Sequence, residues 1–447
     1  MDGGVQAERN SYPEGAPNSR ALHERAKRVL PGGNTRTTVY MRPFPLYAAR
    51  GEGCRIWDVD GVARIDCINN FTALIHGHAH PALVAAAAAQ LPLGTAFAMP
   101  TESEIALAEL LAARVPHVDQ LRFCNSGTEA VMMAIKAARA FTGRPRIAKV
   151  EGAYHGTYDY AEVSLNSTPQ DWGGNRPNAT ATAHGTPESV LAEVVPIPFN
   201  NPSAAASLIR EAGASLAAVL VDPMPNRAGL VPATAAYIAA IQQAAHDVGA
   251  LLIFDEVISF RLGYHGAQGL FGAAPDLTAF GKIMGGGFPV GAVGGRAEVM
   301  TVFDPSGGHP ALPHGGTFSA NPVTMRAGHA AMELLDHAAF ERLDAMGERV
   351  REGFRRALRD AHVAGQVTGL GSLLRVHLID RPLTDYRSAW LSPAESARLT
   401  ALHRRLLNHG VIAADYALMA LSTPMTDSDL DQIVAGFAAA LRDLTEG

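Results

Sequence analysis

The feature that most constrains the fold of this chain is the alternation of short apolar runs with helical patterns, which begins at about residue 119. Residues 216–221 and 250–254 are apolar runs of strand length, and a helical pattern spans residues 235–248 between them. Strands that alternate with helices along a chain are typical of a mostly parallel sheet that is covered by helices. We therefore expect an α/β fold.

With 447 residues, the chain is long enough for two or three domains. The sequence predicts a flexible N-terminus over residues 1–20. Residues 21–70 contain a hairpin pattern, and we expect this N-terminal segment to pack with a small domain. A large domain is expected over residues 71–325. Long helical patterns with few strands then predict a small α+β domain over residues 326–447.

Composition and charge exclude several classes of function. Hydrophobic residues make up 47% of the chain and charged residues 18%, which suits a large apolar core. The net charge of −6 is mild and no apolar run would span a bilayer, so we expect neither a nucleic-acid nor a membrane partner. The N-terminus lacks the hydrophobic segment of a secretion signal, and three cysteines without metal-ligand spacing suit a reduced, cytoplasmic protein without a metal site.

Lys282 is the first candidate for chemistry. Only four of the 37 basic residues are lysines, and Lys282 lies in an apolar, glycine-rich stretch, residues 279–291. A lysine in such surroundings is desolvated, which favours the neutral, nucleophilic amine that forms a Schiff base. The alternative is an ordinary lysine whose charged end snorkels out of a buried loop.

Two motifs upstream add an anion site and an acid. Ser126, Gly127 and Thr128 follow a short apolar strand and open a helix, and N–H groups at a helix N-terminus bind phosphate. Ordinary helix capping by Ser126 or Thr128 is the alternative. Asp255 ends an apolar strand, where ligands of open α/β sheets bind, and its carboxylate could hold a protonated ring nitrogen. An acid that merely starts the next loop is the alternative.

Two further motifs contribute rings and a hydroxyl. Tyr154 and His155 follow a strand and a turn, and either ring could stack on a cofactor, although a histidine at such a place is more often part of an ordinary loop. Thr317 lies in a run of small residues ahead of a helix, which indicates either another phosphate contact or only a helix entrance.

The order of these motifs resembles that of the fold-type I pyridoxal-phosphate enzymes, and within them the class III aminotransferases. The resemblance covers roughly residues 20–440. It implies pyridoxal 5′-phosphate (PLP) as the cofactor and the PLP-dependent transferase fold of type I. The large domain would then bind PLP and contain a mostly parallel seven-stranded sheet.

The resemblance also implies a role for the phosphate motifs. Ser126, Gly127 and Thr128 would cradle the phosphate group within the same chain. Thr317 would reach the phosphate of the cofactor in the other subunit. The enzyme would therefore be a homodimer with shared sites.

Around the pyridine ring, the resemblance implies that Tyr154 stacks on one face, with His155 in the same motif, and that Val257 packs on the ring. Asp255 would bind the ring nitrogen. Lys282 would form the Schiff base and, once released from it by the substrate, would move a proton between carbon atoms.

Subgroup features concern the substrate. Residues 281–296 resemble the glutamate-1-semialdehyde 2,1-aminomutases, whereas residues 35–40 resemble the β-phenylalanine aminotransferases. The second resemblance implies that Arg36 anchors the substrate carboxylate, and an ordinary surface arginine is the alternative. Tyr40 and Phe44 could line a pocket, with a place in the core as the alternative for aromatic residues near prolines.

Two departures from the family pattern also concern substrate carboxylates. Where the family has a Glu-Pro pair at the end of a strand, this chain has Asp222 followed by a proline. Arg227, shortly after it, is an alternative anchor for the substrate carboxylate. Residues 415–418 lack the arginine found in several relatives that use 2-oxoglutarate, which argues against the usual dicarboxylate acceptor.

Taken together, these observations predict a PLP-dependent aminotransferase that acts by a ping-pong mechanism through a Lys282 Schiff base. It would move an amino group from an amino acid, such as a β- or aryl-substituted one, to an oxo acid. The alternatives are an aminomutase of the glutamate-1-semialdehyde type and a PLP racemase or decarboxylase on the same fold. A non-catalytic cofactor-binding protein is disfavoured because Lys282, Asp255 and Thr317 occur together.

Overall fold

A sheet of seven strands forms the middle layer of the larger part of the molecule. The computed structural model describes residues 11–446. Its strands are β1 (Ala48–Glu52), β2 (Arg55–Asp58), β3 (Ala63–Asp66), β4 (Gln120–Cys124), β5 (Arg146–Val150), β6 (Val194–Ile197), β7 (Leu216–Val221), β8 (Leu251–Asp255), β9 (Leu277–Gly281), β10 (Gly291–Gly295), β11 (Gln366–Thr368), β12 (Leu373–His377), β13 (Val411–Ile412) and β14 (Leu418–Ala420). The large sheet has the order β4-β10-β9-β8-β7-β5-β6, and only β10 runs antiparallel to its neighbours. The expected mostly parallel seven-stranded sheet is confirmed.

The inner strands are continuous apolar runs because helices cover both faces of the sheet. All six residues of β7 are buried. Ala218 and Leu220 pack against one helix layer, and Val219 and Val221 pack against the other. Successive side chains of a strand point to opposite faces, so a strand between two layers needs an apolar residue at every position.

The helices cover the large sheet and fill the smaller, C-terminal part of the molecule. They are α1 (Pro17–Ala26), α2 (Asn69–Thr72), α3 (Pro81–Gln90), α4 (Glu102–Arg114), α5 (Gly127–Thr142), α6 (Asp159–Glu162), α7 (Glu188–Ala192), α8 (Pro202–Ala212), α9 (Ala235–Asp247), α10 (Gly266–Phe271), α11 (Ala297–Met300), α12 (Pro322–Glu333), α13 (His337–Asp360), α14 (Tyr386–Ala389), α15 (Pro393–Asn408) and α16 (Asp427–Glu446). Helix α5 lies on one face of the large sheet, and α8 and α9 lie on the other. Between residues 11 and 446, no helix combines the length and the apolar character needed to cross a bilayer.

Helix α1 begins inside the segment that the sequence predicts to be flexible. Residues 1–10 of that segment lie outside the described residues, and residues 17–20 are helical. The carboxylate of Asp60 accepts hydrogen bonds from the N–H groups of Asn18 (2.7 Å) and Ser19 (3.0 Å). A carboxylate at this place satisfies N–H groups that have no partner inside the helix. Because Asp60 is distant in sequence, local sequence patterns do not reveal this cap.

Two small sheets and the C-terminal helices form a second core. One sheet has the order β11-β12-β14, and the other has the order β1-β2-β3-β13. Ile65 of β3 pairs in parallel with Val411 of β13, so the N-terminal hairpin joins a strand from the end of the chain. The rings of Phe354 and Phe437 stack at 3.9 Å inside this core.

Candidate active site

Three neighbouring parallel strands end side by side and place the candidate catalytic groups at one edge of the large sheet. Val221 of β7 pairs with Phe254 of β8, and Asp255 of β8 pairs with Ala279 of β9. Asp222, Asp255 and Lys282 therefore occupy the carboxyl ends of adjacent strands. This edge is where open α/β sheets bind their ligands.

The amine of Lys282 is bound by groups of the protein, although the residue is only partly buried. Its Nζ donates a hydrogen bond to the carbonyl oxygen of Phe71 at 2.8 Å and lies 3.4 Å from Oγ1 of Thr72. Burial lowers the pKa of Lys282 to about 8, although the nearby charges of Asp255 and Asp222 act in the opposite direction. A larger fraction of this lysine is therefore in the neutral, nucleophilic form near neutral pH than for a lysine in water.

The short element α2, which contacts Lys282, is a left-handed turn that the sequence analysis did not identify. Asn69, Asn70, Phe71 and Thr72 all have positive φ angles, of 51°, 49°, 55° and 72°. A run of left-handed residues costs free energy unless its surroundings hold it in place. Oδ1 of Asp66 accepts the N–H of Asn69 at 2.9 Å.

A buried arginine also holds this turn. Arg261, which is 1% exposed, donates from Nη1 to the carbonyl oxygen of Thr72 at 2.9 Å and from Nε to the hydroxyl of Ser372 at 3.0 Å. Burial lowers the pKa of Arg261 to about 9. The Asn69-Asn70 pair was the one available sequence signal for the turn, since asparagine tolerates left-handed conformations. No local pattern indicated Arg261.

Asp255 forms a buried pair with His155. Nδ1 of His155 lies 2.7 Å from Oδ2 of Asp255, whose Oδ1 accepts the backbone N–H of Val257 at 3.0 Å. Burial lowers the pKa of His155, against the opposing effect of this hydrogen bond. A neutral imidazole carries one N–H, and the contact with the carboxylate requires it on Nδ1. His155 thus orients Asp255. The other ring nitrogen of His155, Nε2, is buried and has no hydrogen-bond partner among the described residues.

Glycines let the backbone pack closely beside these groups. A Cβ atom on Gly127 would come within 2.7 Å of Cγ1 of Val257, and one on Gly281 would lie 3.4 Å from the same atom. A Cβ atom on Gly156, which has a φ of 87°, would come within 2.5 Å of the hydroxyl of Thr128. The glycines of the phosphate motif and of the Tyr154 loop thus bring these backbone segments close to Val257 and Thr128.

Tyr154 offers a ring near Asp255. Its side chain is 49% exposed, although the neighbouring His155 is almost fully buried. A half-exposed aromatic ring next to a buried carboxylate can stack on a planar ligand.

The first turn of α5 provides an anion site. Oγ of Ser126 accepts the N–H of Glu129 at 3.2 Å, so Ser126 does cap the helix, as the simpler alternative proposed. The N–H groups of Gly127 and Thr128 precede the first intrahelical hydrogen bonds and remain available. Capping and phosphate binding are therefore compatible at this motif.

Of the other predicted site residues, the structure brings only some close to Lys282 and the phosphate motif. The segment that contains Thr317 lies next to the phosphate motif, because Nδ2 of Asn125 lies 3.4 Å from Oγ of Ser319. Thr317 itself is exposed. Nη1 of Arg36 donates to Oδ1 of Asn70 at 2.8 Å, which puts Arg36 on the turn that contacts Lys282.

Tyr40 and Arg227 contact none of the groups around Lys282. Tyr40 is 45% exposed. Arg227 follows β7 and donates from Nη2 to Oδ1 of Asn166 at 2.6 Å. Of the two candidate anchors, Arg36 is therefore the one connected to the lysine by direct contacts with a single turn.

Two buried acids complete the charged groups at this edge. Burial and the neighbouring charge of Asp255 raise the pKa of Asp222 to about 8. Burial raises the pKa of Glu256 to about 7, although N–H groups of Ala267 and Gln268 donate to its carboxylate at 2.7 and 2.9 Å. The sequence analysis noted Asp222 only as a departure and did not select Glu256. Both acids directly follow a buried strand, and this position in the sequence could have identified them as candidate site residues.

Comparison with known proteins shows which family this chain is similar to. The model of the family described as aminotransferase class-III matches residues 37–441. Glutamate-1-semialdehyde 2,1-aminomutase of Symbiobacterium thermophilum is 39% identical over 422 residues, which cover 93% of this chain and 95% of that protein. Beta-phenylalanine transaminase of Variovorax paradoxus is 36% identical over 430 residues, which cover 96% of this chain and 93% of that protein.

Two solved structures are similar along nearly the whole chain. An omega-transaminase from Sphaerobacter thermophilus is 56% identical in sequence to this chain. The two structures superimpose with a TM-score of 0.93 over 96% of this chain and 98% of that one. A transaminase with PLP bound is 46% identical in sequence, with a TM-score of 0.90 over 97% of this chain and 99% of that one.

The fold and the site define a PLP-dependent enzyme of fold type I. A lysine at the carboxyl edge of a mostly parallel sheet, a carboxylate at the neighbouring strand end and a nearby helix N-terminus suit this cofactor. The chain belongs to the class-III aminotransferase family. The expected family and the PLP cofactor are thereby confirmed.

The pKa of Lys282 predicts how the cofactor-free enzyme captures PLP. The rate of covalent capture should rise with pH and level off above about 8, because the protonated amine is not nucleophilic and the folded-state pKa is about 8. Stopped-flow absorbance after mixing the cofactor-free enzyme with PLP measures this rate, and the Lys282→Ala variant is the control without capture. A rate that keeps rising up to the pKa of a free lysine would contradict the effect of burial.

Proposed function

We propose that this enzyme is an aminotransferase that moves the amino group of an amino acid, such as a β- or aryl-substituted one, to an oxo acid in a ping-pong reaction. The observation that carries the proposal is the partly desolvated amine of Lys282, held at 2.8 Å from the Phe71 carbonyl at the strand end next to that of Asp255. PLP supplies an electron sink when it is bound. The residues of this chain must hold it, orient the substrate and move one proton.

Each of these tasks has a residue that suits it. Lys282 holds the cofactor covalently and, once displaced by the substrate amine, becomes the base that moves the proton between carbon atoms. Asp255, oriented by His155, presents a negative charge to the protonated ring nitrogen. The free N–H groups of Gly127 and Thr128 receive the phosphate, while Tyr154 and Val257 enclose the ring.

The position of Arg36 supports an amino acid as the donor. Arg36 contacts Asn70, and Lys282 contacts Phe71, the next residue of the same turn. A carboxylate bound by Arg36 would thus belong to a small molecule whose amino-bearing carbon lies near Lys282. Such an arrangement suits a compact amino acid, and the β-amino acid named in the Variovorax relative is one example.

An aminomutase remains a second candidate because two relatives that carry that name are 39% and 40% identical to this chain. An aminomutase moves the amino group within one molecule and needs no oxo acid. Dependence on an added acceptor therefore separates the two reactions.

The first test uses the visible absorbance of the holoenzyme with a panel of amino acids and no acceptor. We expect a β- or aryl-substituted donor to bleach the band of the bound aldehyde once per site and to release one equivalent of oxo acid, and an added oxo acid to restore the band. Lys282→Ala, with its fold retained in circular dichroism, should show no turnover. A band that persists with every donor, or turnover by Lys282→Ala, would contradict the proposal.

A second test separates Arg36 from Arg227 as the carboxylate anchor. Arg36→Gln should raise the KM for the amino acid about 10- to 100-fold, the loss expected for one hydrogen-bonded charge pair. Its KM for an arylalkylamine without a carboxylate should stay unchanged. Arg227→Gln is the matched variant, and an equal or larger effect of that change would assign the anchor to Arg227.

We also propose that the enzyme acts as a cytoplasmic homodimer. Large exposed apolar side chains are concentrated in one segment: Val84, Leu91, Leu93, Phe97, Met99 and Ile105. Phe318, beside Thr317, is also exposed. Monomeric proteins rarely expose such patches, and a second copy of the chain would cover this one. Thr317 would then reach the phosphate in the other subunit.

Mixing two inactive variants tests the shared site. In a heterodimer of Thr317→Ala and Lys282→Ala chains, one site would combine an intact Lys282 with an intact Thr317 from the other chain. Coexpression should therefore restore activity at one of the two sites, as measured by donor turnover. If activity stays at the level of the Thr317→Ala homodimer, Thr317 acts within its own chain or not at all.

A further inference from the structure

Lys149 is a second buried lysine that the proposed reaction does not use. It is one of only four lysines among 37 basic residues. It lies on β5, paired with Pro196 of β6 and Leu220 of β7, and its side chain is 0% exposed. A buried cation is costly unless its hydrogen bonds are satisfied, so its retention here requires an explanation.

Three backbone carbonyl oxygens surround its amine. Nζ donates to the oxygens of Val163 at 2.8 Å, Val150 at 3.1 Å and Ala153 at 3.3 Å. An ammonium group can donate all three bonds, whereas a neutral amine has only two N–H groups. The compact ammonium fits this cage, and the planar fork of an arginine does not match it. These contacts therefore favour the charged form, although burial lowers the pKa of Lys149 to about 7.

The cage closes the loop that carries two of the site residues. Val150 and Ala153 lie just before Tyr154 and His155, and Val163 lies just after α6. One ammonium thus joins the beginning and the end of this loop. Among residues 11–446, no carboxylate lies within 4 Å of Lys149 to form an ion pair. The charged groups that act on it from a longer distance are Arg227, Glu151 and Glu162.

The charge of Lys149 also acts on His155. Burial lowers the pKa of His155, the hydrogen bond and charge of Asp255 raise it, and the charge of Lys149 acts in the same direction as burial. If His155 became an imidazolium, its positive charge would offset the negative charge of Asp255. A neutral His155 leaves that charge free for the ring nitrogen of the cofactor.

We propose that Lys149 is a positioning residue that acts as a built-in monovalent cation: its ammonium closes the loop around Tyr154 and His155 and adds to burial in keeping His155 uncharged, so that the charge of Asp255 remains available. This inference rests on the proposed roles of Tyr154 and Asp255. Its tests measure the stability of the cofactor-free protein and the affinity for PLP. They therefore give a result even if transamination itself is not the reaction.

The first test replaces the ammonium with a diffusible one. The cofactor-free Lys149→Ala variant should have a lower Tm than the wild type, and its affinity for PLP should fall about tenfold, the loss of one hydrogen bond to a charged group. Methylammonium should restore both quantities in a saturable manner, and tetramethylammonium, which cannot donate hydrogen bonds, should not. Lys27→Ala, which removes an exposed lysine paired with Glu24, is the control and should change neither quantity.

The second test separates charge from hydrogen bonding and also applies if Lys149→Ala does not fold. Lys149→Gln keeps N–H donors but removes the charge, so His155 should protonate at a higher pH. The affinity for PLP should then be lost at a higher pH in Lys149→Gln than in the wild type as the solution is acidified. The dissociation constant, measured by titration across the acidic range, gives this midpoint for both proteins.

Two results would overturn the inference. One is rescue of Lys149→Ala by tetramethylammonium as efficient as that by methylammonium, because it would show an effect of ionic strength alone. The other is a Lys149→Gln profile that coincides with that of the wild type, because it would show that the charge of Lys149 does not reach His155.

Discussion

The active site depends on the parallel pairing of β7, β8 and β9. Because these strands pair in parallel, residues that are distant in sequence end at the same edge of the sheet, where Asp222, Asp255 and Lys282 meet. The two helix layers bury the apolar strands, and the side chains of Asp222 and Asp255 at their ends are buried as well. The fold thus creates the low-polarity surroundings in which a lysine amine loses part of its affinity for a proton.

The groups at this edge depend on one another through burial and charge. Asp255 stabilises the charged form of Lys282, and it destabilises the charged form of Asp222. His155 is held to Asp255 by a short hydrogen bond, while burial keeps the ring neutral. A change at any one of these residues alters the ionisation of the others, so effects of single substitutions here are not additive.

The sequence predicted those parts of the site that lie at the ends of regular elements. Asp255 follows an apolar run, and Ser126 precedes a helix, so local patterns were sufficient. The left-handed turn at Phe71, the buried Arg261 that holds it and the carbonyl cage of Lys149 were not predicted. Each depends on contacts between residues far apart in the chain, and helical or strand periodicity contains no information on such contacts.

The scarcity of lysine has a practical consequence for chemical handling of the enzyme. Lys149 is buried, Lys136 and Lys282 are partly exposed, and Lys27 is exposed just after the first helix. Reagents that acylate side-chain amines would therefore find few positions, of which Lys27 is the most accessible. Because the pKa of Lys282 is lowered, its amine would compete for such a reagent unless a bound cofactor already occupies it.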